Sequence, residues 1–274
     1  MTNAEKCAIL YTSSEARLYS AVGKEGKMNF VVFDTETTDL KKPFCYNVGY
    51  RIVNGDTWET LLEREYCCQQ TWHNLQLFQS AYYADKRPIY VGRMRKREVI
   101  LEKWGYIMQQ MIRDFRAFEV VAAYAYNSSF DDGVFRYNCD WFRTQNPFDN
   151  IPIFDIRGYV QAFLIDDTFK KFCEDNNYFT EAGNYSTTAE VLFRYITEDY
   201  DFTEEHTALS DSRIETEILR ACIECGAEWS MNYKTGSVPR LVKKELTIGY
   251  KGEEFTTYQY TKKYERNGKI TLTR

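Results

Sequence analysis

The segment MNFVVFDTET, residues 28–37, constrains the fold more than any other part of the chain. Phe30, Val31, Val32 and Phe33 put apolar side chains on both faces of an extended strand. A strand covered on both sides belongs at the centre of a layered sheet, not at its edge. The run then ends in acids. Residues two apart in a strand share a face, so Asp34 and Glu36 project together from its end. Two carboxylates at the margin of a buried sheet repel each other and lose hydration. A divalent cation between them removes that conflict. The plainer alternative is a pair of solvated acids at an exposed strand end.

The rest of the pattern builds outward from this strand. A second strand is expected over Tyr46–Val53, a tight turn at Asn54-Gly55-Asp56 and a returning strand over Thr57–Tyr66. Trp72 to Gln110 has mainly helical character. Within it, segment 86–103 carries Lys86, Arg87, Arg93, Arg95, Lys96, Arg97 and Lys103. Pro88 and Gly92 place its first part in a loop or short strand, and Val99–Phe118 then shows helical apolar spacing. Short apolar strands follow over Val120–Tyr126 and Ile151–Ile156. Between them a helix runs through Asp131–Phe142, with serine as its natural cap. Further helices are expected over Arg157–Phe172, over Thr187–Tyr195 and from about Ala208 to Trp229. The last presents Ile214, Ile218, Cys222 and Cys225 on one stripe. The predicted class is α/β: a mixed sheet of three antiparallel meander strands and then parallel strands, with helices on both faces. Residues 1–27 form a polar extension with room for one short helix, 28–232 the main domain, and 233–274 a β-prone appendage or tail with an Asn267-Gly268 turn.

Two later segments carry further candidates for chemistry. In AYNSSFDDGVF, residues 125–135, a buried strand ends and Asp131 falls on the first turn of a helix. Capping and the helix dipole alone would favour an acid there. In HTALSDSRIET, residues 206–216, His206 and Asp211 open the last long helix. The chain has only two histidines, His73 and His206, so any imidazole chemistry must use one of them.

Charge and cysteines narrow the partners and the compartment. A net charge of −5 argues against a protein that grips nucleic acid chiefly by neutralising phosphates. It leaves room for a site whose acids recruit their own cations. Eight cysteines occur. The N-terminus lacks the continuous apolar run of a secretory signal, and no run reaches transmembrane length. Reduced thiols, a cytoplasmic location (host cytoplasm for a virus-encoded protein) and no membrane association are therefore expected.

Taken in order, these elements resemble the DEDDh family of 3′→5′ exonucleases, whose fold is ribonuclease H-like. Proofreading exonuclease subunits, oligoribonuclease and the mammalian DNA 3′-repair exonucleases are relatives. The resemblance spans about Met28 to Trp229. The family's DxE is matched by Asp34 and Glu36, its N-x-x-F-D by Asn127, Phe130 and Asp131, and its HxAxxD by His206, Ala208 and Asp211. Tyr126 departs from the histidine that many relatives carry before the asparagine. The resemblance implies a catalytic set of His206, Asp34, Glu36, Asp131 and Asp211, with the four acids holding two Mg2+ (or Mn2+) ions. By that resemblance Asp34 would bridge both ions, Glu36 and Asp211 would hold the ion that activates water, and Asp131 would support the other. His206 is expected to take the proton from the attacking water. The same resemblance implies that residues near Thr35 and Thr37 contact the terminal nucleotide and that Asn127 helps orient the site.

The implied activity is hydrolysis of DNA from single-stranded 3′ ends to nucleoside 5′-monophosphates. An RNA or short-oligonucleotide exonuclease is the alternative within enzymes. A non-catalytic module that binds nucleic acid or a polymerase is the alternative outside them. A DNA polymerase or replication protein is a plausible partner, docked through the tail. The basic segment 86–103 either follows a nucleic-acid backbone or is a solvated face. Tyr82, Tyr83 and Tyr90 either stack bases or pack. Cys222 and Cys225 have metal-ligand spacing but no second pair, and are expected to be core. His73 has no partner signature and is expected to be structural.

Overall fold

A computed structural model describes the backbone of residues 28–250, 253–266 and 269–273 and the side chains of residues 28–240. The expectations for residues 1–27 and for the Asn267-Gly268 turn lie outside the described residues. The main sheet contains β1 (Asn29–Thr37), β2 (Cys45–Asn54), β3 (Thr60–Cys68), β4 (Ile100–Glu102), β5 (Val120–Ala125) and β6 (Ile153–Asp155). Their order is β4-β3-β2-β1-β5-β6. The β1, β2 and β3 strands form an antiparallel meander, while β1–β5, β5–β6 and β3–β4 pair in parallel. The doubly apolar β1 is central, as its sequence demands.

Alternation along β1 divides the core in two. Phe30 and Val32 join a cluster with Tyr124, Tyr159, Leu192, Ile214, Ile218 and Cys222. The helices on that face are α6 (Ile156–Phe163), α7 (Asp167–Asp175), α8 (Ala189–Thr197) and α9 (Ala208–Glu224). Val31 and Phe33 join Tyr50, Trp104, Met108, Phe135 and Phe148 on the opposite face, covered by α4 (Trp104–Ala117) and α5 (Ser128–Phe142). The alternation therefore continues past the core: Asp34 and Glu36 turn toward α9, and Thr35 toward α5.

Several local expectations change. Residues Arg87–Arg95 form a helix, α3, instead of a loop or strand. Pro88 sits in its first turn, where the missing N–H costs nothing. Ile100–Glu102 pairs with β3 as a strand, and the helix begins only at Trp104. The cap of α5 is Asn127 in the left-handed region (φ 63°), with Ser128 already helical. Cys222 is buried, but Cys225 caps the end of α9 and is exposed. Between β3 and β4, α1 (Gln69–His73), α2 (Leu75–Phe78) and α3 pack a third cluster of Tyr46, Trp72, Phe78 and Tyr90. His73 is exposed at the end of α1. A separate antiparallel sheet, β7 (Leu241–Tyr250), β8 (Glu253–Arg266) and β9 (Lys269–Thr273), follows. Among the described residues, no helix is long and apolar enough to cross a membrane.

Candidate functional site

The carboxyl end of β1 is where the strand, both helix layers and the 69–99 segment meet. Asp34 and Glu36 leave β1 on the α9 side. Asp211 lies in the first turn of α9, and one carboxylate oxygen each from Asp34, Glu36 and Asp211 lie within 4.8 Å of one another. Asp131 approaches from the other face. It sits in the first turn of α5, where Thr35 Oγ1 donates a 2.6 Å hydrogen bond to its Oδ1. Asp131 and Asp211 are buried, at 2% and 7% exposure.

A fifth acid joins them. Glu215, 4% exposed, lies one helical turn beyond Asp211 and accepts a 3.2 Å hydrogen bond from the Tyr126 backbone N–H. The sequence shows it only as a polar residue in an amphipathic helix. Its spacing of four from Asp211, which puts both on one helix face, is the signal that finds it.

Electrostatics state the cost of this arrangement. Burial, then Asp131 and Asp211, hold the Asp34 carboxyl well above the usual range. Burial and Asp211 do the same for Glu36, and the Tyr46 hydroxyl at 3.4 Å offsets only part of it. Burial pushes Asp131 up to about 7, opposed by the Thr35 hydrogen bond. Burial and Glu204 push Asp211 up to about 8. Glu215 is likewise raised by burial, Asp131 and Asp211. The cation that acts on this group is Lys86, which lowers Glu36 and Asp211. One ammonium does not balance five carboxylates. The donor set is all oxygen, which suits hard divalent cations such as Mg2+ and Mn2+.

The placement of α9 depends on a glycine. A Cβ at Gly49 of β2 would lie 2.1 Å from Leu209 N and 2.2 Å from Ala208 C. Only glycine lets the helix start press directly on the sheet. Buried Asn47 then locks the contact, its Oδ1 accepting from Ala208 N at 2.8 Å and from the Tyr90 hydroxyl at 3.0 Å. Arg93 of α3 adds a 2.6 Å ion pair to Glu65 and a 3.0 Å hydrogen bond to Thr207 Oγ1. Part of the basic segment is thus committed to the fold, while Arg95, Lys96 and Arg97 are exposed. Tyr90 is core and unavailable for stacking.

His206 precedes α9 with φ 53°, its side chain 29% exposed. Glu204 Oε2 lies 3.5 Å from its Nδ1, and Glu190 of α8 completes a group whose ligand-capable atoms are within 4.8 Å. Burial and then Lys86 lower the imidazole pKa, against Glu190. The ring is therefore neutral near pH 7 and able to accept a proton.

Beside Glu36 opens a groove of ≈ 610 Å³ whose lining includes Thr37, Leu40, Lys41, Tyr82, Tyr83 and Phe130. Thr35 also borders it, but its hydroxyl is engaged by Asp131. Asn127 does not border this groove. It lies in a second depression with Tyr126, Arg157 and Thr187, and its N–H donates to Asp155.

No known family profile matches the chain, and no curated protein sequence matches it. Solved structures do. A full-length 3′-exonuclease aligns over 92% of this chain and 68% of its own at 11% identity, with a TM-score of 0.50. A 3′-exonuclease in 3′-end-specific recognition of a histone mRNA stem-loop aligns over 89% of this chain and 77% of its own at 10% identity, TM-score 0.50. The nuclease domain of a DEDDh family member bound to rAMP aligns over 78% of this chain and 100% of its own at 13% identity, TM-score 0.49. For the two structures with a TM-score of 0.50 the likeness is one of fold: a mixed sheet with helices on both faces.

Proposed function

We propose that this chain is a metal-dependent 3′→5′ exonuclease that releases nucleoside 5′-monophosphates from DNA, acting on single-stranded 3′ ends. One observation carries the reading: Asp34, Glu36 and Asp211 gather their oxygens within 4.8 Å, beside buried Asp131. Asp34, Glu36, Asp131 and Asp211 would hold two divalent cations. Bound there, such ions supply Lewis-acid activation of water and phosphate and relieve the repulsion among the acids. The chain's own residues do the rest. Thr35 orients Asp131 through its hydroxyl. Tyr126, through its N–H, holds Glu215 against the same group. The neutral imidazole of His206 accepts the proton of the attacking water. Thr37 and the walls of the groove seat the terminal nucleotide, and Asn127 fixes the left-handed entry to α5 that delivers Asp131.

The proposal includes a division of the chain into an extension (1–27), a nuclease domain and a C-terminal appendage. Tyr185 N donates to Val238 O, and Gln161 and Gly236 exchange hydrogen bonds. These contacts favour a join near residue 240 over one at 232.

The test is a gel assay on a 5′-labelled single-stranded DNA oligomer and its RNA counterpart, with Mg2+, with Mn2+, with EDTA and with the Asp34→Ala protein. The expected result is a ladder shortening from the 3′ end of the DNA, abolished by EDTA and by the variant. Preferential shortening of the RNA would move the substrate assignment. No cleavage of either by folded protein would contradict the enzyme reading.

A further inference from the structure

His206 has a positive φ of 53°, in the left-handed region that is uncommon for residues other than glycine. Its contacts come from the turn before α3, far away in sequence. The Tyr83 ring stacks on the imidazole, with centroids 4.6 Å apart and planes 15° from parallel. Lys86, three residues on, donates from its ammonium to the carbonyl of Glu205, the residue that precedes the histidine. The same ammonium lies 4.8 Å from the centroid of the Tyr83 ring. Burial, then Glu36 of β1 and Glu204 of the histidine segment, push the Tyr83 hydroxyl up to about 12. Tyr83 also lines the groove beside Glu36, with Tyr82 edge-on to it at 4.8 Å.

One aromatic ring is thus a wall of the nucleotide groove and the stacking partner of the imidazole. We infer that Tyr83 is a positioning residue for His206, fixing the plane of the imidazole and coupling its orientation to occupancy of the groove. This rests on the exonuclease reading for its role in turnover, although the stacking itself does not. The groups that face the histidine are Tyr83 and Lys86 from the turn, Glu204 from its own segment and Glu190 from α8. Among them only Tyr83 offers a flat face, so stacking fixes the plane of the ring while the charged groups set its proton affinity.

The chain's two histidines make the test direct. In a His73→Gln background, one imidazole Cε1–H signal remains in a carbon–proton NMR spectrum of the full chain. Stacking on Tyr83 displaces that signal upfield through the ring current. Tyr83→Leu, which keeps the bulk of the wall, should return it toward the free-imidazole position, and Tyr83→Phe should leave it displaced. In the nuclease assay, Tyr83→Leu should lower kcat by about tenfold to a hundredfold, the scale of a small misplacement of a reacting group, with a lesser change in KM. Tyr83→Phe should recover most of that loss. In a His206→Ala background, Tyr83→Leu should cost little further kcat, because the two residues act as a unit. Lys86→Met, a second variant that spares the ring, should lower kcat in the same direction. A His206 signal indifferent to Tyr83→Leu would overturn the inference, whether or not the protein cleaves DNA. So would a loss confined to KM. A wild-type chain that shows the displaced signal but cleaves nothing would leave the stacking intact and remove the exonuclease reading.

Discussion

The acids and the histidine are held in different ways. Asp34 leaves the end of a strand whose preceding four residues, Phe30 to Phe33, are fully buried. Asp211 and Glu215 ride on a helix pressed against β2 at Gly49 with no room for a side chain. Asp131 is tied to the same strand by Thr35. His206, in contrast, lies outside the helix, partly exposed, at a positive φ, and stacks on a ring from the turn before α3. The contrast teaches that the core fixes the groups that must tolerate repulsion, since burial and neighbouring acids both raise Asp34 and Glu215. On the proposed reading His206 needs no such frame, since stacking on Tyr83 sets the plane of its ring.

The comparison can be broken at several points. Removing an acid should have the largest effect on turnover. Asp34→Asn should lower kcat by about 10⁴-fold or more, since metal-based charge stabilisation is worth several kcal/mol. The same variant should raise the melting temperature of the EDTA-treated protein at pH 8, because it removes a charge the fold disfavours. A lower melting temperature would mean that Asp34 is structural. His206→Ala should cost about 10²–10³-fold in kcat, the scale of general base catalysis. Thermal stabilisation by Mn2+ should be unchanged in that variant, and loss of it would place the histidine among the metal ligands. Gly49→Ala should destabilise the fold by about 1–3 kcal/mol, the range for overpacking. The obstructing atoms are backbone, so α9 must shift, and activity should fall with it. Urea unfolding and kcat together check this, and an unperturbed variant would refute the close approach.

The smallest effect is one of pH. Asp131 and Asp211 titrate near 7 and 8 in the folded protein, against an ordinary 3.8. Their folded pKa values lie above the unfolded ones, so the folded state binds more protons between those limits. The stability these groups allow is fully present below about pH 4 and is lost as pH rises through about 7 to 8. In EDTA, the melting temperature should therefore fall over that interval. Stabilisation by Mn2+ should be greater at pH 8 than at pH 5. A flat profile would show that the acids are not crowded.

Much of this site was legible in the sequence, because its central parts are local. Burial on both faces of β1, the shared face of Asp34 and Glu36, and an acid in the first turn of two helices all follow from period and spacing. What escaped was set by contacts between distant segments. The three residues of β4 fit a helical pattern and become a strand only by pairing with β3. Pro88 reads as a breaker, but at a helix start it is neutral. Glu215 looks like a solvated helix residue until β5 ends beside it. Nothing in the neighbourhood of Tyr83 announces that its ring will meet His206. Gly49 did carry a signal, since a glycine inside a strand often marks a close backbone approach.

The most direct test of the central claim is a Mn2+ titration at pH 8, following the loss of the free-ion signal by electron paramagnetic resonance, in the wild-type chain and in Asp34→Asn. The account predicts two ions bound by the wild-type protein at the Asp34, Glu36, Asp131 and Asp211 carboxylates, with binding largely abolished by the single substitution. Equal binding by both proteins, or none by the folded wild-type protein, would contradict it.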